Sequence, residues 1–515
     1  MLTPSRIAVL VCFAALLGIP LIFRPTQAPP PDDARQLIII TPHNEQIRSE
    51  FARAFDQWHL EHYGERANVV YSVPGGTTEI RRMLFAQFTA AVEAGRKAGG
   101  DADLVFGGGS YEHTLLKRGV RVVVDGETRE VPITTPVDFD DAWLYERYGP
   151  NVIGDTRLYD PDKHWFGTAL SGFGIVYNRD VLAQLDLAEP NAWEDLCHPS
   201  LQGWVSLVNP GQSGSITTAF DTILQRRGWE HGWRVLRRAA ANARYFSASS
   251  LKPPNDVSQG NAAMGICIDF YGRYQSQALI SAGRGDRVGY VDPPGATTID
   301  ADPVSMLAEA PHPQIARRFI EFCLSEQAQS LWQFPAGEDH EDGLGPHEFE
   351  LRRLPVRRSM YEKYGDRMID QVDAFELAAP VENPHRHFRA FVPVLFAAMA
   401  MDTHDELTKA WQAIVTHPAY PATGGMVTAA DVDDPELRSM LERFDALPTI
   451  SGPAGEVYLM GERDHLSAVK AGWLDEEWAA EGLWEPESTP ADALRKRFGA
   501  FFREAYQEIA ATSGR

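Results

Sequence analysis

The sequence predicts a two-lobed α/β protein with a helical C-terminal extension and an apolar N-terminal segment, and three observations lead there. Its 515 residues exceed what one hydrophobic core organises, since single cores stop growing at about 250–300 residues. From residue 37 onward, short β-rich runs alternate with amphipathic segments, the pattern of βα units that feed a mainly parallel sheet. Beyond about residue 340 the strand pattern fades and apolar residues recur at helical spacing.

Within 37–165, strands are predicted over 37–40, 69–73 and 102–106, each handed to a helix. The first helix shows Ile47, Phe51, Phe55 and Trp58 at helical spacing, and the next shows Ile80, Leu84 and Phe88. A second set over 166–285 has a long strand over 166–177 and others over 204–208 and 262–269, with a helix over 229–241 between them. Residues 286–345 read as the return to the first lobe, with extended chain broken at Pro293-Pro294-Gly295 and then a helix over 314–332. The remainder, 346–515, reads as a helical C-terminal region whose last helix has Thr489 at the cap and Pro490 at the first position.

Residues 1–36 stand apart. Arg6 precedes an uncharged apolar run over 7–23, and Arg24 opens a proline-rich stretch that reaches Pro31. This is the layout of an export signal. The run is also at the lower edge of a membrane span, and Thr26-Gln27-Ala28 makes a poor cleavage site because Pro29 follows it. Residues 1–24 therefore read as a signal or a membrane anchor and 25–36 as a Pro-rich linker. The expectation is a periplasmic or extracytoplasmic protein tethered to the cytoplasmic membrane. Cys12 lies within the apolar run and reads as an embedded thiol. Cys197, Cys267 and Cys323 lack metal-ligand spacing and read as separate buried thiols, one disulfide being the alternative in an oxidising compartment.

Composition narrows the function classes. The 48 Lys and Arg against 71 Asp and Glu leave a net charge of −23, the reverse of the basic footprint that nucleic-acid binding needs. That balance favours solubility and leaves room for a local basic pocket that takes a small anion.

In open α/β sheets ligands sit beyond the carboxyl ends of the strands. The loops predicted there are Thr41-Pro42-His43-Asn44, Pro74-Gly75-Gly76-Thr77-Thr78 and Gly107-Gly108-Gly109-Ser110, joined from the second lobe by Asn209-Pro210-Gly211-Gln212-Ser213-Gly214-Ser215. Glycines at a strand-to-helix handover let backbone N–H groups and the positive helix end converge on an anion. Thr77, Ser110, Ser213 and Ser215 add hydroxyls. For one loop alone, a tight turn and a capping hydroxyl are explanation enough. Several loops of one kind at equivalent strand ends point to a shared ligand cleft. His43 follows the first strand, while Asp269 and Tyr271 follow the 262–268 run of the second lobe. Imidazole, carboxylate and phenol together would suit a hard metal. Tyr111, Glu112 and His113 read as a solvated helical turn, an addition to that metal set being the alternative, and His385 and His387 take no metal role because they face different sides of a helix. The Ser213 loop lacks the second glycine of a Gly-x-Ser-x-Gly elbow, and neither a P-loop nor a zincin helix is present. A non-enzymatic binding protein is expected.

Several stretches carry a family resemblance: Ile40-Thr41-Pro42-His43-Asn44-Glu45, Ala102-Asp103-Leu104-Val105-Phe106-Gly107-Gly108-Gly109, Ser171-Gly172-Phe173-Gly174-Ile175-Val176-Tyr177-Asn178, Trp193-Glu194-Asp195-Leu196, the Ser213 loop, and Phe319-Ile320-Glu321-Phe322-Cys323-Leu324-Ser325. In order and spacing over about residues 36–360, the chain resembles the extracellular solute-binding proteins of ABC importers, in the group that includes periplasmic ferric-iron-binding proteins. The resemblance implies the type II periplasmic-binding fold, two α/β lobes with hinge crossovers that close on a ligand, and an importer permease as partner. In the iron binders a histidine after the first strand, an acidic residue after the third and two adjacent tyrosines in the second lobe hold ferric iron, often with a bound anion. His43 matches the first and Tyr271 one of the tyrosines, while Phe270 replaces the other and the third-strand loop has no carboxylate. Ferric iron with a synergistic anion, on His43, Asp269 and Tyr271, is the first expectation, and no cofactor is required. A small anion on the glycine loops is the second. An enzyme on the same scaffold and a sensing domain coupled to a membrane partner are the readings from other classes.

Overall fold

The computed structural model describes residues 33–512 apart from 125, 282, 284, 338–341, 423–424, 479–482 and 484–487. The signal or anchor segment over 1–24 and most of the linker over 25–36 lie outside the described residues. Among the described residues no helix is long and apolar enough to cross a membrane.

The first lobe opens with strands β1 (Arg35–Ile40), β2 (Ala67–Ser72) and β3 (Leu104–Phe106), followed in turn by helices α1 (Glu45–Tyr63), α2 (Thr77–Glu93) and α3 (Ser110–Arg118). β2 and β3 flank β1 in parallel, as repeated βα units dictate. Strand β4 (Phe166–Ser171) belongs to the same sheet, and after Gly172 the chain enters the second lobe as β5 (Phe173–Asn178). That lobe continues through β6 (Val205–Val208), α4 (Gly214–Arg227), α5 (Trp229–Ala241), β7 (Ala243–Ser247), β8 (Met264–Ile268), α6 (Asp269–Ser281) and β9 (Val288–Val291). The chain returns through Pro293-Pro294-Gly295 to β10 (Asp300–Leu307), α7 (Pro313–Cys323), α8 (Glu326–Gln333) and β11 (Leu354–Pro355).

The first sheet is ordered β11-β4-β10-β3-β1-β2, with Thr134–Thr135 paired to β10, and the second β7-β6-β8-β5-β9. Strands β4, β5, β8 and β10 are buried along their whole lengths, because helices or the facing lobe cover both faces. The two crossings, at Gly172 and at 292–299, lie side by side, the Thr297 hydroxyl accepting from Phe173 N–H at 3.2 Å and donating to the Phe173 carbonyl at 2.8 Å. Two adjacent extended strands are the geometry of a hinge.

Several sequence boundaries move. The strand expected over 166–177 is two strands in different sheets, so the second lobe begins at Phe173 rather than 166. Strand β9 still pairs with β5, which places the return to the first lobe after Val291 rather than at 286. Strand β11 pairs with β4, so the chain around 354 is first-lobe sheet and not part of the helical region assigned from 346. The helix expected over 314–332 is interrupted at Leu324-Ser325, where the Ser325 hydroxyl accepts from Ala328 N–H and starts α8. Strand β7 and the hairpin Val120–Val124 with Glu127–Val131 were not anticipated. Cys197, Cys267 and Cys323 are free and buried.

The C-terminal region forms a third layer, with α9 (Phe388–Phe396), α10 (His404–Val415), α11 (Pro435–Asp445), the two-stranded sheet of Thr449–Ser451 and Val457–Leu459, and α12 (Pro490–Thr512). It packs on the second lobe. Phe396 meets Phe220 of α4 at 4.8 Å between ring centroids, and Phe388 meets Trp229 of α5 at 4.5 Å. Trp411 Nε1 donates to Asn242 Oδ1 at 2.9 Å, and the fully buried Arg238 donates to Asp445 Oδ1 at 2.6 Å. Desolvated pairs of this kind hold a fixed docking geometry, because separating the layers would strand a charge in each.

Candidate functional site: the interlobe cleft

The carboxyl ends of β1, β2 and β3 face those of β6, β7 and β8 across a cleft of about 330 Å³, within the size range of small-ligand sites. The first lobe contributes Pro42, His43, Gly75, Gly76, Thr77, Gly108, Gly109, Asp300, Asp302 and Arg353. The second contributes Gln212, Ser213, Ser215, Thr218, Ser249, Ser250, Phe270 and Tyr271.

The floor on the first-lobe side is a buried polar triad. His43 Nε2 lies 2.8 Å from Asp302 Oδ2 and 3.0 Å from Arg353 Nη1, and Arg353 Nη1 also donates to Asp302 Oδ2. Asp302 Oδ1 accepts from Gly108 N–H at 2.7 Å. Burial, then the Arg353 and Arg48 cations, push the His43 imidazole well below its ordinary range, so the ring is neutral. His43 Nδ1 is buried with no hydrogen-bond partner among the described residues. Arg353 Nε is likewise unpartnered, and its guanidinium lies 4.3 Å from the Phe270 ring of the opposite lobe.

The glycine loops divide. Gly107 N–H donates to the Pro303 carbonyl at 2.7 Å and Gly108 N–H is taken by Asp302, so these donors are spent inside the first lobe. Gly107, Gly108 and Gly109 all have positive φ, and a Cβ on Gly108 would fall 2.9 Å from Thr77 Cγ2. Their loop is shaped for close approach rather than for offering N–H groups, which corrects the expectation for it. The Gly75-Gly76 loop has a different setting. It precedes the 17-residue helix α2, whose N-terminus has no side-chain cap, and Thr77 Oγ1 is buried without a partner among the described residues. Gly75, Gly76 and Thr77 thus bring the N-terminus of α2, with Glu79 in its first turn, to the cleft wall. On the other wall Ser213 caps α4 through Ile216 N–H and lies 3.4 Å from the Ser215 hydroxyl. Asp300 accepts from the Ser110 hydroxyl at 2.6 Å, and burial raises its carboxyl above the usual range.

The cleft lining therefore brings together His43, Gly75, Gly76, Thr77, Gly108, Gly109, Ser213, Ser215 and Tyr271. Three expected members are elsewhere. Asn44 caps α1 by accepting from Ile47 N–H at 3.0 Å. Ser110 is held behind the wall by Asp300. Asp269 is fully buried at the start of α6, where it accepts from Phe270 N–H at 2.7 Å and from Arg273 at 3.3 Å. Within the expected metal set, Asp269 is engaged by Arg273 and His43 Nε2 by Asp302. Among the described residues no group of three His, Cys, Asp or Glu is placed to hold a metal. Burial raises the Tyr271 phenol above its ordinary value. Glu112 and His113 are buried rather than solvated, His113 bridging Ser305 Oγ at 2.6 Å and the Gly107 carbonyl at 3.1 Å.

Sequence reading missed Asp300, Asp302, Arg353, Ser249 and Ser250. The signal for the acids was available: Asp300 and Asp302 alternate within an otherwise apolar strand, a place where a carboxylate needs a reason. Ser249 and Ser250 follow β7, and without that strand there was nothing to place them.

Residues 133–340 match the family model described as bacterial extracellular solute-binding protein. This part of the chain is similar to the bacterial extracellular solute-binding proteins. The phosphoglycerate transport regulatory protein PgtC of Salmonella typhimurium is 29% identical over 169 residues, 32% of this chain and 39% of that protein. An uncharacterized protein of Haemophilus influenzae is 28% identical over 238 residues, 43% of this chain and 66% of that protein. The matched part thus spans 39% of PgtC's length. Among solved structures, the substrate binding protein of the ABC transporter from Agrobacterium tumefaciens superposes with a TM-score of 0.52 at 16% identity, covering 74% of this chain and 96% of that chain. The likeness extends to the fold, and the two lobes described above are the architecture that the sequence resemblance implied.

Proposed function

We propose that the protein is an extracytoplasmic receptor that captures a small hydroxylated anion, of the phosphorylated or carboxylated polyol class, and presents it to an ABC importer permease. The observation that carries the reading is the uncapped N-terminus of α2 in the cleft beside the unpartnered Thr77 hydroxyl. Such a pair takes an oxyanion without a metal. Around it stand hydroxyl donors from Ser213, Ser215, Ser249 and Ser250, an acceptor in Asp300 and the unpartnered His43 Nδ1. This mixture suits a ligand with alcohol groups as well as charge. The name of PgtC, phosphoglycerate transport, concerns a ligand of that class. Ferric iron has less support, because two of its three candidate ligands are engaged by other side chains, His43 by Asp302 and Asp269 by Arg273.

A thermal-shift panel on the purified chain with 3-phosphoglycerate, glycerol 3-phosphate, hexose 6-phosphates, inorganic phosphate and ferric citrate tests the assignment. The expected result is stabilisation by one or more phosphorylated polyols and little by ferric citrate. Ferric stabilisation with a visible charge-transfer band that disappears in Tyr271→Phe would replace the anion by iron, and turnover of a stabilising ligand would replace the receptor by an enzyme.

A further inference from the structure

One side chain of the C-terminal layer touches both lobes. Arg389, in the first turn of α9, donates from Nη1 to Thr218 Oγ1 at 2.6 Å and from Nη2 to the Gly214 carbonyl at 3.1 Å, both in α4 of the second lobe. Nη2 also stands 3.9 Å from Glu112 Oε1, and the guanidinium carbon lies 4.1 Å from the Tyr111 ring centroid, both in α3 of the first lobe. Glu112 is held from its own side by Arg81 Nε at 2.7 Å. At this edge the lobes are in direct contact, since a Cβ on Gly214 would fall 2.5 Å from Thr77 Oγ1. The segment that precedes α9 spans the same gap: Val381 N–H donates to Asp155 in the first lobe, and Arg226 of α4 donates to the Pro380 carbonyl at 2.9 Å.

We propose that Arg389 is an interlobe clamp, through which the C-terminal layer holds α3 against α4 in the closed form and so sets the affinity of the cleft. The inference rests on the reading of the cleft as a site that closes on a ligand. Because α9 is docked on the second lobe through Phe388 and Phe396, hinge opening leaves the bonds to Thr218 and Gly214 intact. It separates Arg389 from Glu112 and Tyr111. Only contacts that differ between the two forms shift their ratio, and these two do. A partly desolvated ion pair with a cation–π contact corresponds to about a tenfold change in that ratio.

The test uses the full ligand-free chain with spin labels on the exposed positions Glu61→Cys, in the first lobe, and Gln184→Cys, in the second. The label-to-label distance distribution is measured by pulsed electron resonance. Wild type is expected to show mainly the shorter, closed distance. Arg389→Ala should raise the longer-distance fraction about tenfold relative to the shorter, Arg389→Lys should restore part of it, and adding Glu112→Gln to Arg389→Ala should change nothing further. If Arg389→Ala does not fold, Glu112→Gln alone reads the same contact from the first-lobe side. An unchanged distribution in folded Arg389→Ala or Glu112→Gln would overturn the clamp. Failure of the panel to find any ligand would instead count against the receptor reading, because the distances are taken without one.

Discussion

Replacing Arg353 with methionine isolates the energetic role of the triad at the cleft floor. The Arg353 and Asp302 side chains are 6% and 7% exposed, so neither charge has water to fall back on. Removing one partner of such a pair costs about 3–5 kcal/mol, most of it the desolvated charge left behind. Asp302 retains the Gly108 N–H at 2.7 Å and His43 Nε2 at 2.8 Å, which places the expected loss near the lower end, at about 3 kcal/mol. Methionine keeps an apolar stem against Phe270 and Trp332, the rings beneath the guanidinium, so the cavity contribution is small. Urea unfolding followed by circular dichroism measures the loss. Adding Asp302→Asn removes the stranded charge and is expected to recover about half of it, so that the double variant is more stable than Arg353→Met alone. A single variant within about 0.5 kcal/mol of wild type, the usual range for surface substitutions, would refute the claim that this pair anchors the cleft.

Other outcomes follow from the same geometry. Gly108→Ala puts a side chain at φ 123° and 2.9 Å from Thr77 Cγ2; it should cost about 1–3 kcal/mol and weaken cleft binding, both readable by calorimetry. Burial pushes the His113 imidazole down to about 4, so between its unfolded value near 6.5 and that point the unfolded chain binds the extra proton. Its contribution is therefore present above pH 6.5 and falls as pH drops, by about 2 kcal/mol between pH 7 and 5; His113→Asn should show a smaller decline of unfolding free energy over that interval. Arg238→Met strands Asp445 between the second lobe and the C-terminal layer and should cost about 3 kcal/mol, with faster proteolysis of the C-terminal helices.

The parts of the fold legible in the sequence were those whose signal is local. The strand-loop-helix units of the first lobe and the apolar run behind β8 announce themselves by periodicity and by glycines at the handover. What was not legible depends on pairing across long separations. Phe166 and Tyr177 lie in one apolar run, and only the partner strands β10 and β9 reveal that its halves belong to different sheets. Arg353 sits 310 residues from His43 in sequence, in a stretch without strong periodicity, so its place at the cleft floor could not be read from its neighbours. The residues of the expected metal set show the same dependence on distant partners. His43 and Asp269 were placed at the right strand ends, yet the side chains that claim them, Asp302 and Arg273, decide what they can do.

The central claim, that the cleft binds an oxyanion at the N-terminus of α2, is tested most directly by calorimetric titration of wild type and Thr77→Val with 3-phosphoglycerate or whichever phosphorylated polyol stabilises the protein best. The account predicts one site per chain in wild type and about tenfold weaker binding in Thr77→Val, the worth of one hydrogen bond to a charged group. Equal affinities in the two proteins, or binding that requires ferric iron, would contradict it.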